Sequence, residues 1–180
     1  MLFRSLGGML GMWMGIHAPD RIDRLVLCNT AAVMPPPSMW DERIETVLGD
    51  GMGAIADGVL DRWFTTPFRV CSRDEVRRIG DMLLATSPVG YAGCCAAIRD
   101  MDQRSGLEAI HQEVLIIAGR DDPATPVARA EEIKRHVPQA RLVVLDQCAH
   151  LSNIEQREAF NRAILPFVSG SLERQADRRW

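Results

Sequence analysis

The sequence predicts an α/β domain built on a parallel sheet, with a block of helices inserted between two of its strands. Three observations carry this. Residues 25–30, 113–119 and 140–145 are short, nearly continuous apolar runs, the pattern of strands covered on both faces. Helical spacing follows the second and third of these runs, so strand and helix alternate. Between 39 and 110 the strand signal disappears and only helix-like apolar spacing remains.

Length and composition bound the function. The chain has 180 residues, enough for one domain of ordinary size, with 47% hydrophobic and 25% charged residues, which is globular rather than disordered. It carries 21 Lys and Arg against 24 Asp and Glu, a formal net charge of −3. That balance argues against a nucleic-acid partner, which selects a basic face. No apolar run reaches the roughly 18 residues of a membrane span, and no secretory leader pattern opens the chain. The five cysteines (Cys28, Cys71, Cys94, Cys95, Cys148) form no C-x-x-C, so neither a disulfide framework nor a zinc ribbon is expected. The expectation is a cytoplasmic protein without metal or cofactor; the sequence assigns no oligomeric state.

Taken in order, the elements read as follows. The stretch 6–16 is apolar on every face and rich in glycine, the mark of a buried helix packed closely on a neighbour. His17-Ala18-Pro19-Asp20 ends it in a charged turn, and the 25–30 strand follows. Met34-Pro35-Pro36-Pro37-Ser38 is a rigid break. Helical spacing then recurs at 41–48, 54–63, 72–86 and 91–101, punctuated by Gly51-Met52-Gly53, Thr66-Pro67 and Ser87-Pro88. After the 113–119 strand come a helix over 127–136, stopped at Pro138, and the 140–145 strand. A last helix over 153–168 turns Ala159, Phe160, Ile164 and Phe167 inward, and the charged tail from 173 is expected to fray. A core segment 1–33, a helical lid 34–110 and a second core segment 111–180 result.

Three polar residues follow strands, where ligand sites of parallel sheets lie. Ser5 precedes the first helix, Asp122 follows the strand ending in Gly119, and His150 follows the strand ending in Leu145. Singly each has an ordinary reading. Ser-x-Gly is frequent, Asp-Pro is a turn former, and His150 could be a loop histidine like His17, His111 and His136. Together, in the order Ser, Asp, His, they follow the α/β-hydrolase pattern of nucleophile, acid and base.

Longer strings sharpen this. Ser5-Leu6-Gly7-Gly8-Met9, Trp63-Phe64-Thr65, Gly90-Tyr91-Ala92-Gly93-Cys94-Cys95, Asp121-Asp122-Pro123-Ala124-Thr125-Pro126 and Ala149-His150-Leu151-Ser152-Asn153-Ile154-Glu155-Gln156 resemble the 3-oxoadipate enol-lactonase family. The resemblance runs from about residue 5 to 170. It implies a partial α/β-hydrolase fold and hydrolysis of a small carboxylated lactone in bacterial aromatic-acid breakdown. It also implies Ser5 as nucleophile, Asp122 as acid partner (with Asp121 as near competitor), His150 as base and the Leu6 N–H as an oxyanion donor. The free carboxylate of such a substrate calls for a cation, and Arg69 and Arg99 lie in the lid; Trp40, Trp63 and Tyr91 are candidate pocket walls. The adjacent Cys94 and Cys95 read as small buried hydrophobes.

Two positions depart from the family. Phe3 stands where the nucleophile turn wants Gly, and Arg157 stands where Pro is common. Met1-Leu2-Phe3-Arg4-Ser5 also matches the translation of a sequencing adapter, a competing origin for Phe3 that the upstream reading frame would decide. The family fold places strands ahead of the nucleophile, together with the loop bearing the second oxyanion donor. The expectation is therefore a missing front of on the order of 80–100 residues. With it missing, the 25–29 strand should become an exposed edge, Met9, Met12 and Trp13 should lose cover, and the chain should be inactive and marginally folded. Two other readings compete: a lid-bearing α/β-hydrolase acting on another ester or on a carbon–carbon bond, and a non-catalytic fragment.

Overall fold

A computed structural model describes residues 2–176, and the side chains of residues 4–170. Four parallel strands lie in the order β1 (Leu2–Arg4), β2 (Arg24–Cys28), β3 (Glu113–Gly119) and β4 (Arg141–Leu145). Val26 pairs with Leu115 and Ile117 with Val143. Because side chains alternate across a strand, the apolar runs supply both faces at once. Leu25, Leu27, Val114, Ile116 and Ala118 pack with Met9 and Met12 of α1 (Leu6–His17) and with Ala130 and Ile133 of α7 (Val127–His136). Val26, Cys28, Leu115 and Ile117 pack on the opposite face against Phe160, Ile164 and Phe167 of α9 (Arg157–Ala176). The result is three layers, helix–sheet–helix.

Two expectations about the front of the chain are corrected. β2 is not an edge: β1 covers it through Leu2–Val26, Phe3–Leu27 and Arg4–Cys28 pairing. Met9 and Met12 are buried at 2% and 0%, in one cluster with Leu107 and Ile110, whereas Trp13 is exposed at 50%. The Phe3 side chain lies outside the described residues.

The insertion between β2 and β3 is helical: α2 (Pro37–Asp50), α3 (Gly53–Trp63), α4 (Thr66–Cys71), α5 (Arg73–Leu84) and α6 (Pro88–Asp100). Pro37 opens α2 and Pro88 opens α6, so both begin earlier than apolar spacing alone indicates, because a first-turn proline loses no helical hydrogen bond. The short α4 has no periodicity to read; Thr65 caps it, accepting the Phe68 N–H at 3.4 Å. The two ends of the insertion are stitched together. Val33 bridges Asp102, and the Gln103 N–H donates to the Ala32 carbonyl at 2.9 Å. Cys95 is buried, but Cys94 is exposed, against the reading of both as buried.

The final helix is two. α8 (Ser152–Glu155) ends at Gln156, and α9 restarts at Arg157 and runs through Ala176. Arg157 thus occupies a helix-start position, where Pro is equally at home. The tail expected to fray from 173 is helical through Ala176; residues 177–180 lie outside the described residues. Among the described residues no single helix is long and apolar enough to cross a membrane.

Candidate active site

Ser5 occupies the one-residue turn from β1 into α1, with φ 51° and ψ −122°, a conformation L-residues rarely adopt. It is held on both sides. Its N–H donates to the Cys28 carbonyl at 3.0 Å, and its carbonyl accepts the Thr30 hydroxyl at 2.8 Å. Thr30 approaches so closely that a Cβ on Gly8 would lie 2.6 Å from it, so glycine is what lets α1 start here. The Leu6 N–H, first in α1, has no acceptor within the helix.

Asp122 follows β3, with its side chain wholly buried. Oδ1 accepts the Ala124 and Thr125 N–H groups at 2.8 and 2.9 Å. Oδ2 accepts the Thr125 hydroxyl at 2.7 Å and Asn29 Nδ2 at 2.9 Å, and lies 2.8 Å from His150 Nδ1. Burial pushes this carboxyl's pKa up; the His150 hydrogen bond and charge, with the Thr125 contacts, outweigh it and hold the pKa below its ordinary value. An ionised carboxylate only accepts, so it selects the Nδ1–H tautomer of His150 and leaves Nε2 as the basic nitrogen.

The loop bearing His150 is pinned from three directions. At the end of β3, a Cβ on Gly119 would stand 2.3 Å from the Ala149 carbonyl oxygen, so only glycine admits the loop. The Asp121 N–H donates to the Cys148 carbonyl at 3.0 Å; Asp121 makes no contact with His150 among the described hydrogen bonds. From the helical insertion, the Thr65 N–H and hydroxyl donate to Glu155 Oε1 at 2.8 and 2.7 Å, while Glu155 Oε2 accepts the Ala149 N–H at 2.5 Å. The Leu151 N–H donates to the Trp63 carbonyl at 3.0 Å. From β2, Asn29, at φ 45°, accepts the Ser152 hydroxyl at 2.6 Å.

Ser5 and His150 line one cavity of about 190 Å³ with Leu6, Trp40, Trp63 and Tyr91. The Ser5 hydroxyl and His150 Nε2 are not directly hydrogen-bonded; such bonds commonly tighten only around substrate. Among the described residues no group of three or more His, Cys, Asp or Glu is arranged to hold a metal ion.

The α/β-hydrolase family model matches residues 5–163. The chain belongs to the α/β-hydrolase family. It is similar to 3-oxoadipate enol-lactonase 2 of Acinetobacter baylyi, at 38% identity over 160 residues, covering 89% of this chain and 60% of that protein. It superposes on a hydrolase from Pseudomonas aeruginosa PA01 with TM-score 0.89 at 43% identity, covering 93% of this chain and 63% of that one. For the enol-lactonase from Burkholderia xenovorans LB400 the TM-score is 0.91 at 35% identity, with 93% and 64% covered. The chain thus spans somewhat over half the length of these relatives.

In this α/β-hydrolase the two arginines singled out in the sequence stand outside the cavity wall. Arg69 is ion-paired with Asp61, and Arg99 with Asp41 and Asp100, so acidic neighbours already neutralise both. The arginines that do line the cavity are Arg43 and Arg62. Helical spacing was the available signal, since Arg43 lies three residues after Trp40 and shares its helix face, and Arg62 adjoins Trp63. Asn29, Thr125, Ser152 and Glu155 also build the site. Thr125, Ser152 and Glu155 sit in strings that resemble the lactonases and Asn29 lies at the end of the 25–30 run, but none has a local pattern that announces its partner.

Proposed function

We propose that this chain carries the catalytic machinery of a carboxylic ester hydrolase that opens 3-oxoadipate enol-lactone to 3-oxoadipate in bacterial aromatic-acid (protocatechuate and catechol) degradation. In this reading residues 34–110 are a lid on a core formed by 1–33 and 111–180, and the enzyme works in the cytoplasm on a small anionic substrate. The observation that carries it is the shared cavity: a serine held at positive φ faces the same space as a histidine whose Nδ1 is 2.8 Å from a buried carboxylate. The likeness to enol-lactonases supports the choice of ester.

The steps follow from the groups present. His150 Nε2 takes the Ser5 hydroxyl proton as Oγ attacks the lactone carbonyl carbon, and Asp122 stabilises the imidazolium. The Leu6 N–H donates to the oxyanion; losing one such donor costs a factor of about 10²–10³ in rate. The ring carbon–oxygen bond then breaks and His150 returns the proton to the enol oxygen. The enol tautomerises to the ketone, which disfavours reclosure. Water, deprotonated by His150, releases the acid and frees Ser5.

The test is a substrate panel. In the chain joined to the part of the Burkholderia xenovorans enol-lactonase outside the match, enol-lactone consumption, followed by its ultraviolet absorbance, is expected to exceed turnover of simple esters, and His150→Ala is expected to abolish it with circular dichroism unchanged; the 180 residues alone are expected to be inactive. Preferential turnover of simple esters would replace the lactone assignment with a general esterase. Retained lactone turnover in His150→Ala would remove His150 from the reaction.

A further inference from the structure

His150 sits on a seam. Its ring is bonded to the end of β3 through Asp122, but the chain on either side of it is bonded to the helical insertion. On one side the Ala149 N–H donates to Glu155 Oε2 at 2.5 Å, and Oε1 of the same carboxylate accepts the Thr65 N–H and hydroxyl at 2.8 and 2.7 Å. On the other side the Leu151 N–H donates to the Trp63 carbonyl at 3.0 Å. The Leu151 side chain is 1% exposed and packs in an apolar cluster with Phe64 and Ile79 of the insertion, apart from both clusters that cover the sheet.

Glu155 suits this place by the count of its partners. Three donors converge on it, and an ionised carboxylate accepts at both oxygens. A glutamine side chain has one accepting oxygen, so it would meet either the Thr65 N–H or the Ala149 N–H donor to donor. Thr65 is fixed in turn, since its hydroxyl also accepts the Phe68 N–H as the cap of α4. Trp63, two residues before it, lines the cavity with Ser5 and His150. The short segment 63–65 therefore walls the cavity and holds both flanks of the base.

We propose that Glu155 is a positioning residue: clasped to Thr65, it sets the register of His150 Nδ1 against Asp122, so that the seat of the insertion decides whether the base is aligned. Glu155 and Thr65 lie outside the cavity lining and touch no reacting atom. The inference rests on the reading of Ser5, Asp122 and His150 as one hydrolytic site, and goes beyond it by making their alignment depend on a clasp to the insertion.

The test reads the hydrogen bond directly. In the 180-residue protein the His150 Nδ1 proton is followed by nuclear magnetic resonance, and its exchange with solvent is compared in Glu155→Gln, Thr65→Val, Thr65→Ser, the double variant Glu155→Gln/Thr65→Val and Lys134→Met. Exchange is expected to quicken about tenfold or more in Glu155→Gln, by less in Thr65→Val, and to stay within about twofold in Thr65→Ser, which keeps the hydroxyl. The double variant is expected to match Glu155→Gln, because the two residues act as one unit. Lys134→Met removes a 2.7 Å hydrogen bond to the Ala140 carbonyl, before β4 and at the opposite ends of the strands. It is expected to lower the melting temperature with exchange unchanged, which separates positioning from general stability. Exchange within about twofold of the unmodified protein in both Glu155→Gln and Thr65→Val overturns the proposal, as does equal quickening in Lys134→Met and Glu155→Gln. If Glu155→Gln does not fold, Thr65→Val, which changes no charge, decides. In the chain joined to the rest of the Burkholderia xenovorans enol-lactonase, Glu155→Gln is expected to lower kcat about tenfold with KM within about twofold. Quickened exchange without lactone turnover in any variant would uphold the clasp and sink the lactonase reading. Lactone turnover with kcat and exchange unmoved by Glu155→Gln would do the reverse.

Discussion

A carboxylate with no exposed surface stays ionised only if its surroundings replace water, and those of Asp122 do. Two backbone N–H groups, one hydroxyl, one amide and one imidazole converge on its two oxygens. Asp122→Asn presents an amide that no longer selects the His150 tautomer, and kcat is expected to fall by a factor of about 10⁴. Asp121→Asn is expected to cost far less, since its backbone rather than its side chain joins the His150 loop. Effects in the opposite order would reassign the acid. The same residue sets an acid limit on stability. Its folded pKa is depressed, so its contribution is complete above the unfolded value near 4 and is lost as pH falls through the folded one. Urea denaturation between about pH 2 and 6 is therefore expected to show a shallower acid decline in Asp122→Asn than in the unmodified protein. Parallel profiles would mean that other carboxylates govern acid unfolding.

At the scale of the element, strand and helix ends decide whether the loops between them can meet. β3 ends in Gly119 directly under the His150 loop, where backbone faces backbone and nothing can swing aside. Gly119→Ala is expected to destabilise by about 1–3 kcal/mol and to lower kcat by displacing His150. Gly93→Ala is the control: inside α6, with nothing within 4 Å of the added Cβ, it is expected to be neutral or to gain up to about 1 kcal/mol. Thermal and urea unfolding measure both, and equal responses would refute the close-approach account. Element ends were also the least legible part of the sequence. Periodicity disclosed α3, α5, α6 and α7, because an apolar stripe is a property of one segment. It could not disclose the six-residue α4 or the Gln156 break, which are set by the Thr65 cap and by the contacts of the His150 loop.

Across the whole molecule, β1 and β4 are the outer strands of the sheet among the described residues, and beside β1 Leu10 and Trp13 on α1 are 52% and 50% exposed. Joining to the chain the part of the Burkholderia xenovorans enol-lactonase outside the match is expected to raise the melting temperature and to shift Trp13 emission to shorter wavelength. An unchanged melting temperature and unchanged emission would show that this edge needs no cover. The three-layer fold was legible from residues alone, since runs such as Leu25-Val26-Leu27 and Leu115-Ile116-Ile117 carry apolar side chains on both faces and demand helices on both. The order Ser5, Asp122, His150 at strand ends was legible for the same reason: parallel topology gathers those ends on one side. What the folded chain added is every pairing across long separations. Asn29 reaches Asp122 over 93 positions, Ser152 reaches Asn29 over 123, and Glu155 reaches Thr65 over 90. Those contacts, and the placing of Arg43 and Arg62 rather than Arg69 and Arg99 at the cavity, depend on how α2 and α3 seat on the sheet. Apolar periodicity determines that a helix buries a face, but only packing in three dimensions determines what its polar flank meets.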